Sequence, residues 1–261
     1  MSLHNKPDIV LVGGGWHVPE SYSKLTDALK AAGYTVHVPF LPSMNNSRPP
    51  NANLATDTGV VRELVEQLIE EGTYAVVIMH SYGGQVGTNA LVGLGTDSRV
   101  KKGKQGGVKH LIYMAASVLP EGDSMITKVK EFGHEHLMPV AFDFADDNTC
   151  VCRDPKTILI GSGMSDEEAD KYVSTFRLFN GKAMYEPISN SAWREIPLTY
   201  IFATEDMTLP YSYQQSMVEN VRKEGFKVET VELSTGHCPN LTKTKEVVDV
   251  VNDVVEKTVR S

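Results

Sequence analysis

Cysteine is scarce in this chain of 261 residues, which contains only three, at positions 150, 152 and 238. A small and odd number of cysteines excludes the disulfide framework that holds many small secreted domains together. Cys150 and Cys152 are separated by one residue, but no further ligands stand near them at the spacing of a zinc site. We therefore interpret the cysteines as free thiols.

Long hydrophobic runs and an excess of positive charge are also missing. No uninterrupted apolar stretch reaches the roughly 20 residues that cross a bilayer, and residues 1–8 lack the apolar core of a secretory signal. The net charge of −8 disfavours binding to nucleic acids or anionic lipids. We expect a cytoplasmic protein, monomeric or homodimeric, with neither nucleic acid nor membrane as a partner.

Short apolar runs alternate with amphipathic segments along much of the chain. The runs that predict buried strands occupy residues 9–12, 35–38, 74–79, 110–114, 198–202 and 228–233. The segments that predict helices occupy residues 21–32, 57–71, 83–94, 211–224 and 244–258. Because strands that alternate with helices build a parallel sheet covered on both faces, the predicted class is α/β. We expect a mostly parallel, doubly wound sheet of about six strands, flanked by helices.

Residues 120–196 interrupt this alternation. No convincing core strand is present there, whereas Ser165 and Glu168 form a capping box that begins a helix. The segment is also rich in Met and Phe. We predict a helical lid at 120–196, inserted into a core formed by 1–119 and 197–261. Such a lid would lie above the carboxyl edge of the sheet, where ligands bind in folds of this class.

The strand predicted at 74–79 leads directly into His80, Ser81, Tyr82 and two glycines. A serine between a buried strand and a helix that opens with glycine sits on a very tight turn, as in the G-x-S-x-G nucleophile elbow. Met79 replaces the first small residue of that pattern, so an ordinary β-to-α turn remains an alternative. His80 is a weak candidate for the base, because neighbouring side chains on a strand point to opposite faces.

Three glycines, Gly13, Gly14 and Gly15, follow the first predicted strand. Acyl transfer needs two N–H groups directed at a developing oxyanion, and one of them comes from the residue after the nucleophile. We predict that the N–H groups of Gly15 and Tyr82 form this oxyanion hole. A phosphate-binding loop is the alternative, but the glycines lack the G-x-G-x-x-G spacing and no Walker lysine follows.

An acid and a histidine follow two further predicted strands. Asp206 comes after the fifth of them, and His237 comes after the sixth. The chain order Ser…Asp…His is that of the hydrolases built on a parallel sheet. We therefore predict Ser81 as the nucleophile, His237 as the base and Asp206 as the acid that orients the base. Glu205 and Asp123 remain alternatives for the acid.

These segments resemble the motifs of small α/β-hydrolases with a lid, a group that includes plant methylesterases, hydroxynitrile lyases and related microbial hydrolases. Residues 12–17 resemble their H-G-x-W-H oxyanion segment, with Gly13 in place of the first histidine. Residues 80–84 match their H-S-x-G-G elbow. Residues 205–210 resemble their acid turn, and residues 236–241 resemble their G-H-x-P-x-L histidine loop.

The resemblance covers essentially the whole chain and implies a serine hydrolase that forms an acyl-enzyme, with no metal or organic cofactor. A lid rich in Met and Phe suggests a small to medium apolar or aromatic ester or lactone as the substrate. The residues expected to bind it are Trp16, His17, Met125, Phe142, Phe176 and Met184.

Two alternatives to ester hydrolysis remain. The first is a lyase or a carbon–carbon bond hydrolase that uses the same three residues. Hydroxynitrile lyases typically have a lysine where this chain has Cys238, which argues against cyanohydrin cleavage. The second alternative is a small-molecule receptor without catalytic activity.

Overall fold

The computed structural model describes residues 6–260 and places nine strands in this part of the chain. Residues 1–5 of the polar N-terminal stretch and residue 261 lie outside it. The strands are β1 (Asp8–Val12), β2 (Val36–His37), β3 (Tyr74–His80), β4 (Gly107–Met114), β5 (Phe142–Phe144), β6 (Thr149–Cys152), β7 (Phe179–Asn180), β8 (Leu198–Ala203) and β9 (Val228–Leu233). Six of them form one parallel sheet in the order β2-β1-β3-β4-β8-β9, which confirms the predicted α/β class.

Helices follow most of the sheet strands. They are α1 (Ser23–Ala31), α2 (Leu54–Glu70), α3 (Tyr82–Ala90), α4 (Thr96–Val100), α5 (Met125–Glu131), α6 (Met138–Ala141), α7 (Asp166–Val173), α8 (Tyr211–Lys223), α9 (Pro239–Thr242) and α10 (Thr244–Arg260). Within residues 6–260, no helix combines the length and the apolar character needed to span a bilayer.

The apolar strand residues divide between the two faces of the sheet. In β1, Ile9 and Leu11 pack in one cluster with residues of α1 and α10, whereas Val10 and Val12 pack in another with residues of α2, α3 and α8. Alternate residues of a strand point to opposite faces, so a strand covered on both faces must be apolar at every position. This accounts for the uninterrupted apolar runs in the sequence.

The segment between β4 and β8 is not purely helical, and in this the structure differs from the predicted helical lid. Strands β5, β6 and β7 form a separate antiparallel sheet of three strands, alongside α5, α6 and α7. None of the three joins the main sheet. They are two to four residues long, which is too short to display the two-residue alternation that identifies a strand in a sequence.

The two ends of this segment meet at its base. Trp193 Nε1 and Ser191 Oγ both donate hydrogen bonds to the carbonyl of Leu119, at 2.7 and 3.1 Å. Trp193 is fully buried. These contacts hold entry and exit together, as expected of an insertion, and the lid boundaries at 120–196 stay a prediction.

Candidate active site

Ser81 occupies a strained turn between β3 and α3. Its φ and ψ angles are 55° and −121°, a backbone conformation that residues other than glycine rarely adopt. The carbonyl of Ser81 accepts the Gly84 N–H at 2.9 Å. Strain of this kind costs on the order of 1–3 kcal/mol and is concentrated at functional sites. Because of this turn, Ser81 lies between the last residue of β3 and the first residue of α3, at the carboxyl edge of the sheet.

Met79, which departs from the small residue of the elbow pattern, has a matching space in α3. Its side chain is fully buried, and a Cβ atom added to Gly87 would lie only 2.4 Å from Met79 Sδ. In the usual elbow pattern, a small residue on the strand lets the strand and the helix approach closely. Here the residue on the strand is the larger Met79, and Gly87 in the helix leaves space for its side chain. The departure leaves the strand–turn–helix geometry in place.

His237 lies between the serine and an acid. Its Nε2 atom is 2.7 Å from Ser81 Oγ, and its Nδ1 atom is 2.6 Å from Asp206 Oδ2. The histidine is 1% exposed, the serine 4% and the aspartate 6%, so the line of hydrogen bonds is shielded from water. With the proton on Nδ1, the ring can accept the serine proton at Nε2.

The Asp206 carboxylate is held by four donors. Oδ1 accepts the backbone N–H groups of Thr208 and Leu209, both at 2.8 Å, and Oδ2 accepts a bond from Gln214 Nε2 at 3.3 Å as well as the bond from His237. Such bonds fix the carboxylate orientation and stabilise its charge.

The two alternative acids lie elsewhere. The Glu205 side chain accepts a hydrogen bond from Ser234 Oγ. Asp123 lies at the base of the lid, where its backbone pairs with Pro120 and Ile188. Of the three acids that the sequence offered, Asp206 is the one whose carboxylate is hydrogen-bonded to the His237 ring.

Gly15 and Tyr82 line one cavity together with Ser81. As the first residue of α3, Tyr82 has an N–H group without an acceptor inside the helix. Trp16 follows Gly15 with φ at 65°, and its Nε1 donates to the carbonyl of Cys150 in the lid at 2.9 Å. The lid therefore helps to fix the loop that carries Gly15.

The cavity above Ser81 has a volume of about 490 Å³ including its open mouth. Its other walls are almost entirely apolar and contain no charged side chain. They consist of Trp16, Met125, Ile126, Val129, Met138, Phe142, Phe179, Met184, Thr208, Leu209 and Tyr213.

Four of the six predicted substrate-binding residues line this cavity: Trp16, Met125, Phe142 and Met184. His17 and Phe176 do not. His17 is buried behind the glycine loop 13–15, where its Nδ1 donates to the Gly15 carbonyl at 2.6 Å. The Phe176 ring packs on His17, with the ring centroids 4.6 Å apart.

Burial lowers the pKa of His17 to about 3, so the ring is neutral. Its single proton is on Nδ1, because the Gly15 carbonyl can only accept. The Nε2 atom carries no proton and accepts a weak hydrogen bond from the Cys238 thiol, whose Sγ lies 3.8 Å away. The prediction that His17 and Phe176 bind the substrate is therefore not supported, because the two rings pack on each other outside the cavity.

Other cavity residues were missed in the sequence. Phe179, Thr208, Leu209 and Tyr213 are examples, and they come from the lid strand β7, the acid turn and α8. For Thr208 and Leu209 a signal was present, because they directly follow the acid at the active edge of the sheet. The position of Tyr213 depends on how α8 packs, which no local pattern encodes.

Asp57 is a further buried group near the site that the sequence did not reveal. It lies in α2 with no exposed surface. Its Oδ2 atom accepts bonds from the Tyr82 hydroxyl at 2.8 Å and from Ser43 Oγ at 2.5 Å, and Oδ1 accepts the Ser43 N–H at 2.9 Å. The carboxyl therefore anchors the side chain of a residue that lines the cavity.

Burial raises the pKa of Asp57 to about 6, and the bonds from Ser43 and Tyr82 only partly oppose this. Between about pH 4 and about pH 6 the folded protein therefore keeps a proton at Asp57 that the unfolded chain has already lost, so the contribution of this carboxyl to stability falls as the pH rises through this range. Replacing Asp57 by Asn removes this loss, since the amide does not ionise.

We expect the free energy of unfolding of Asp57→Asn, relative to the unmodified protein, to rise by about 3 kcal/mol between pH 4 and pH 7. Urea unfolding at several pH values measures this difference. A difference that stays constant with pH would contradict a raised pKa for Asp57.

Among the described residues, no group of three or more His, Cys, Asp or Glu side chains could hold a metal ion. Cys150 and Cys152 lie in β6 of the lid, and Cys150 is fully buried there.

Comparison with known proteins finds relatives that are named as hydrolases. The chain is 28% identical over 258 residues to a protein of Phoma sp. named Probable hydrolase R7, an alignment that covers 95% of this chain and 98% of that protein. The pyrethroid hydrolase of Sphingobium faniae JZ-2 superposes with a TM-score of 0.72 at 20% identity, over 98% of this chain and 99% of that one. Polyneuridine aldehyde esterase gives a TM-score of 0.74 at 19% identity, over 95% and 99% of the two chains.

The two solved structures share the fold with this chain. Family assignment comes from a separate match, in which the model of the alpha/beta hydrolase family aligns with residues 9–250. This range extends from the strand before the oxyanion loop to the middle of the last helix. The protein therefore belongs to the α/β-hydrolase family.

Proposed function

We propose that this protein is a serine hydrolase that cleaves a small to medium apolar or aromatic carboxylic ester or lactone through an acyl-enzyme. The observation that carries the proposal is the line from Ser81 Oγ through His237 to Asp206, with contacts of 2.7 and 2.6 Å, at the floor of an apolar cavity.

In the first half of the reaction, Ser81 Oγ attacks the carbonyl carbon of the ester while His237 Nε2 takes the serine proton. Asp206 holds the Nδ1–H tautomer of the ring and stabilises the imidazolium that forms. The proton then passes from Nε2 to the leaving alcohol, and Ser81 carries the acyl group.

The developing oxyanion would be bound by the N–H groups of Gly15 and Tyr82, each contributing about 3 kcal/mol to the lowering of the barrier. In the second half, water attacks the acyl-enzyme and His237 accepts its proton. The acid is released and Ser81 regains its proton. In both halves, the groups that attack, transfer protons or bind the oxyanion belong to this chain, apart from the attacking water.

The cavity walls support a neutral substrate. Since they contain no charged side chain, a substrate carboxylate or ammonium group would lose its hydration without gaining a partner. The three methionines, Met125, Met138 and Met184, can adapt to different apolar shapes because the side chain is unbranched and flexible. The names of the two solved structures, a pyrethroid hydrolase and polyneuridine aldehyde esterase, are consistent with this class.

A lyase that uses the same three residues is the second candidate. At the position where a hydroxynitrile lyase has lysine, Cys238 is fully buried against His17 and does not line the cavity. The site therefore has no cation there to stabilise a cyanide leaving group, which favours hydrolysis.

The proposal is tested by treating the protein with a fluorophosphonate probe and mapping the adduct by mass spectrometry. We expect one adduct, on Ser81. In parallel, a neutral phenyl ester should be hydrolysed with a kcat/KM at least about 100-fold higher than a matched ester whose acyl chain ends in a carboxylate. Folded protein that gains no adduct and binds esters without turnover would favour a receptor, and cleavage of a cyanohydrin or β-diketone alone would favour the second candidate.

A further inference from the structure

Tyr22 occupies the space that a side chain at position 13 would need. A Cβ atom added to Gly13 would lie 3.0 Å from Tyr22 Cε2 and 3.4 Å from its hydroxyl oxygen. Tyr22 is 1% exposed. The glycine at position 13, where the resembled motif has a histidine, is therefore matched to a tyrosine that lies against the same loop.

The Tyr22 hydroxyl belongs to a continuous chain of hydrogen bonds. Gly14 N–H donates to it at 2.8 Å, and His80 Nδ1 lies 2.8 Å from it. At the other side of the same ring, His80 Nε2 is 2.7 Å from the backbone carbonyl of His237. All of these groups are buried.

The donor and the acceptor of each hydrogen bond in this series can be assigned. The His237 carbonyl can only accept, so the proton of the His80 ring is on Nε2. Burial lowers the pKa of His80 well below its ordinary value, which keeps the ring neutral and leaves Nδ1 as an acceptor. Tyr22 therefore donates its hydroxyl proton to His80 Nδ1, and its oxygen is free to accept the Gly14 N–H.

The chain of bonds connects three loops that must be aligned for catalysis. Gly14 directly precedes Gly15, whose N–H is the proposed oxyanion donor. His80 directly precedes Ser81, and the carbonyl at the far end belongs to His237 itself. Neither Tyr22 nor His80 lines the substrate cavity.

We propose that Tyr22 and His80 are positioning residues, which hold the oxyanion loop and the backbone of His237 in register with Ser81. This inference rests on the proposed function. Because the two residues lie outside the cavity, their loss should misalign the reacting groups without removing a contact to the substrate. The effect should then fall on kcat and leave KM nearly unchanged.

The test is the steady-state hydrolysis of a neutral phenyl ester by Tyr22→Phe, which keeps the ring against Gly13 and removes only the hydroxyl. We expect kcat to fall about 10- to 100-fold, as for misplacements of an ångström or less, with KM within twofold. Phosphonylation of Ser81 should slow by a similar factor, because it also passes through an oxyanion.

Tyr113→Phe is the matched control. Tyr113 is also fully buried and its hydroxyl makes one side-chain bond, at 2.7 Å to Thr88 Oγ1 in the sheet and helix behind the site. We expect its kcat to stay within twofold of the unmodified protein. A fall in kcat that matches that of Tyr22→Phe would assign both effects to general loosening of the fold and overturn the positioning role.

His80→Asn provides the second variant, since its shorter side chain cannot span from Tyr22 to the His237 carbonyl. If the two residues act through one chain, the double variant Tyr22→Phe/His80→Asn should be no slower than the slower single variant. Fully additive losses, or an unchanged kcat in Tyr22→Phe, would overturn the inference while hydrolysis by the unmodified protein stands. An unmodified protein that neither hydrolyses esters nor reacts with the probe would overturn the proposed function and this inference together.

Discussion

Replacing Ser81 by Ala is expected to lower kcat for a neutral ester about 10⁵- to 10⁶-fold, close to the rate without the triad. The substitution removes the Oγ atom that lies 2.7 Å from His237 Nε2, so no acyl-enzyme can form. Residual acceleration would come only from the oxyanion N–H groups and from binding. Measurement of turnover under single-turnover conditions, with ester binding measured separately, distinguishes loss of chemistry from loss of affinity.

The fold should survive this change. Ser81 adopts a positive φ angle that alanine tolerates no better, so circular dichroism should be unchanged and stability should differ by about 1 kcal/mol or less. Ser117→Ala is a suitable control, because Ser117 is also buried and, within the described residues, its hydroxyl has no hydrogen-bond partner. We expect Ser117→Ala to retain turnover. Turnover retained by correctly folded Ser81→Ala would refute the assignment of the nucleophile.

The core sheet and the meeting of Ser81, Asp206 and His237 at its edge were predictable because their signals are local. Each of Ser81, Asp206 and His237 directly follows an apolar run, and parallel strands place their carboxyl ends at one edge. The sequence favoured Asp206 as the acid but left Glu205 as an alternative, since both residues follow the same strand. The structure separates them by the turn, in which Oδ1 of Asp206 accepts the N–H groups of Thr208 and Leu209.

The features that escaped prediction depend on contacts between distant parts of the chain. The lid sheet pairs β6 with β7 across a helix and a loop, and each strand is too short to be recognised alone. Asp57 meets Tyr82 from 25 positions away, and Tyr22 meets His80 from 58 positions away. The hydrophobic periodicity of strands and helices does not predict contacts between residues so far apart in the sequence. The position of His17 outside the cavity was not predictable for the same reason, because it depends on tertiary packing against Phe176.

Asp206, the proposed catalytic acid, should be the second most sensitive position after Ser81, the proposed nucleophile. In Asp206→Asn, the amide oxygen is expected to keep the place of Oδ1, since that place is surrounded by two N–H donors. The amide nitrogen then takes the place of Oδ2, 2.6 Å from His237 Nδ1. A donor at this position forces the His237 proton onto Nε2, and the ring can no longer accept the proton of Ser81.

We expect Asp206→Asn to lower kcat about 10⁴-fold with a small change in KM, as for a triad histidine held in the wrong tautomer. The matched control is Glu205→Gln, the same change at the adjacent residue, whose side chain bonds to Ser234 outside the triad and should leave kcat within about threefold. Nitrogen-15 chemical shifts of the His237 ring give an independent readout, because they distinguish a proton on Nδ1 from one on Nε2. A tautomer that changes without loss of turnover would refute the role of Asp206, and a loss of the same size in Glu205→Gln would move that role to Glu205.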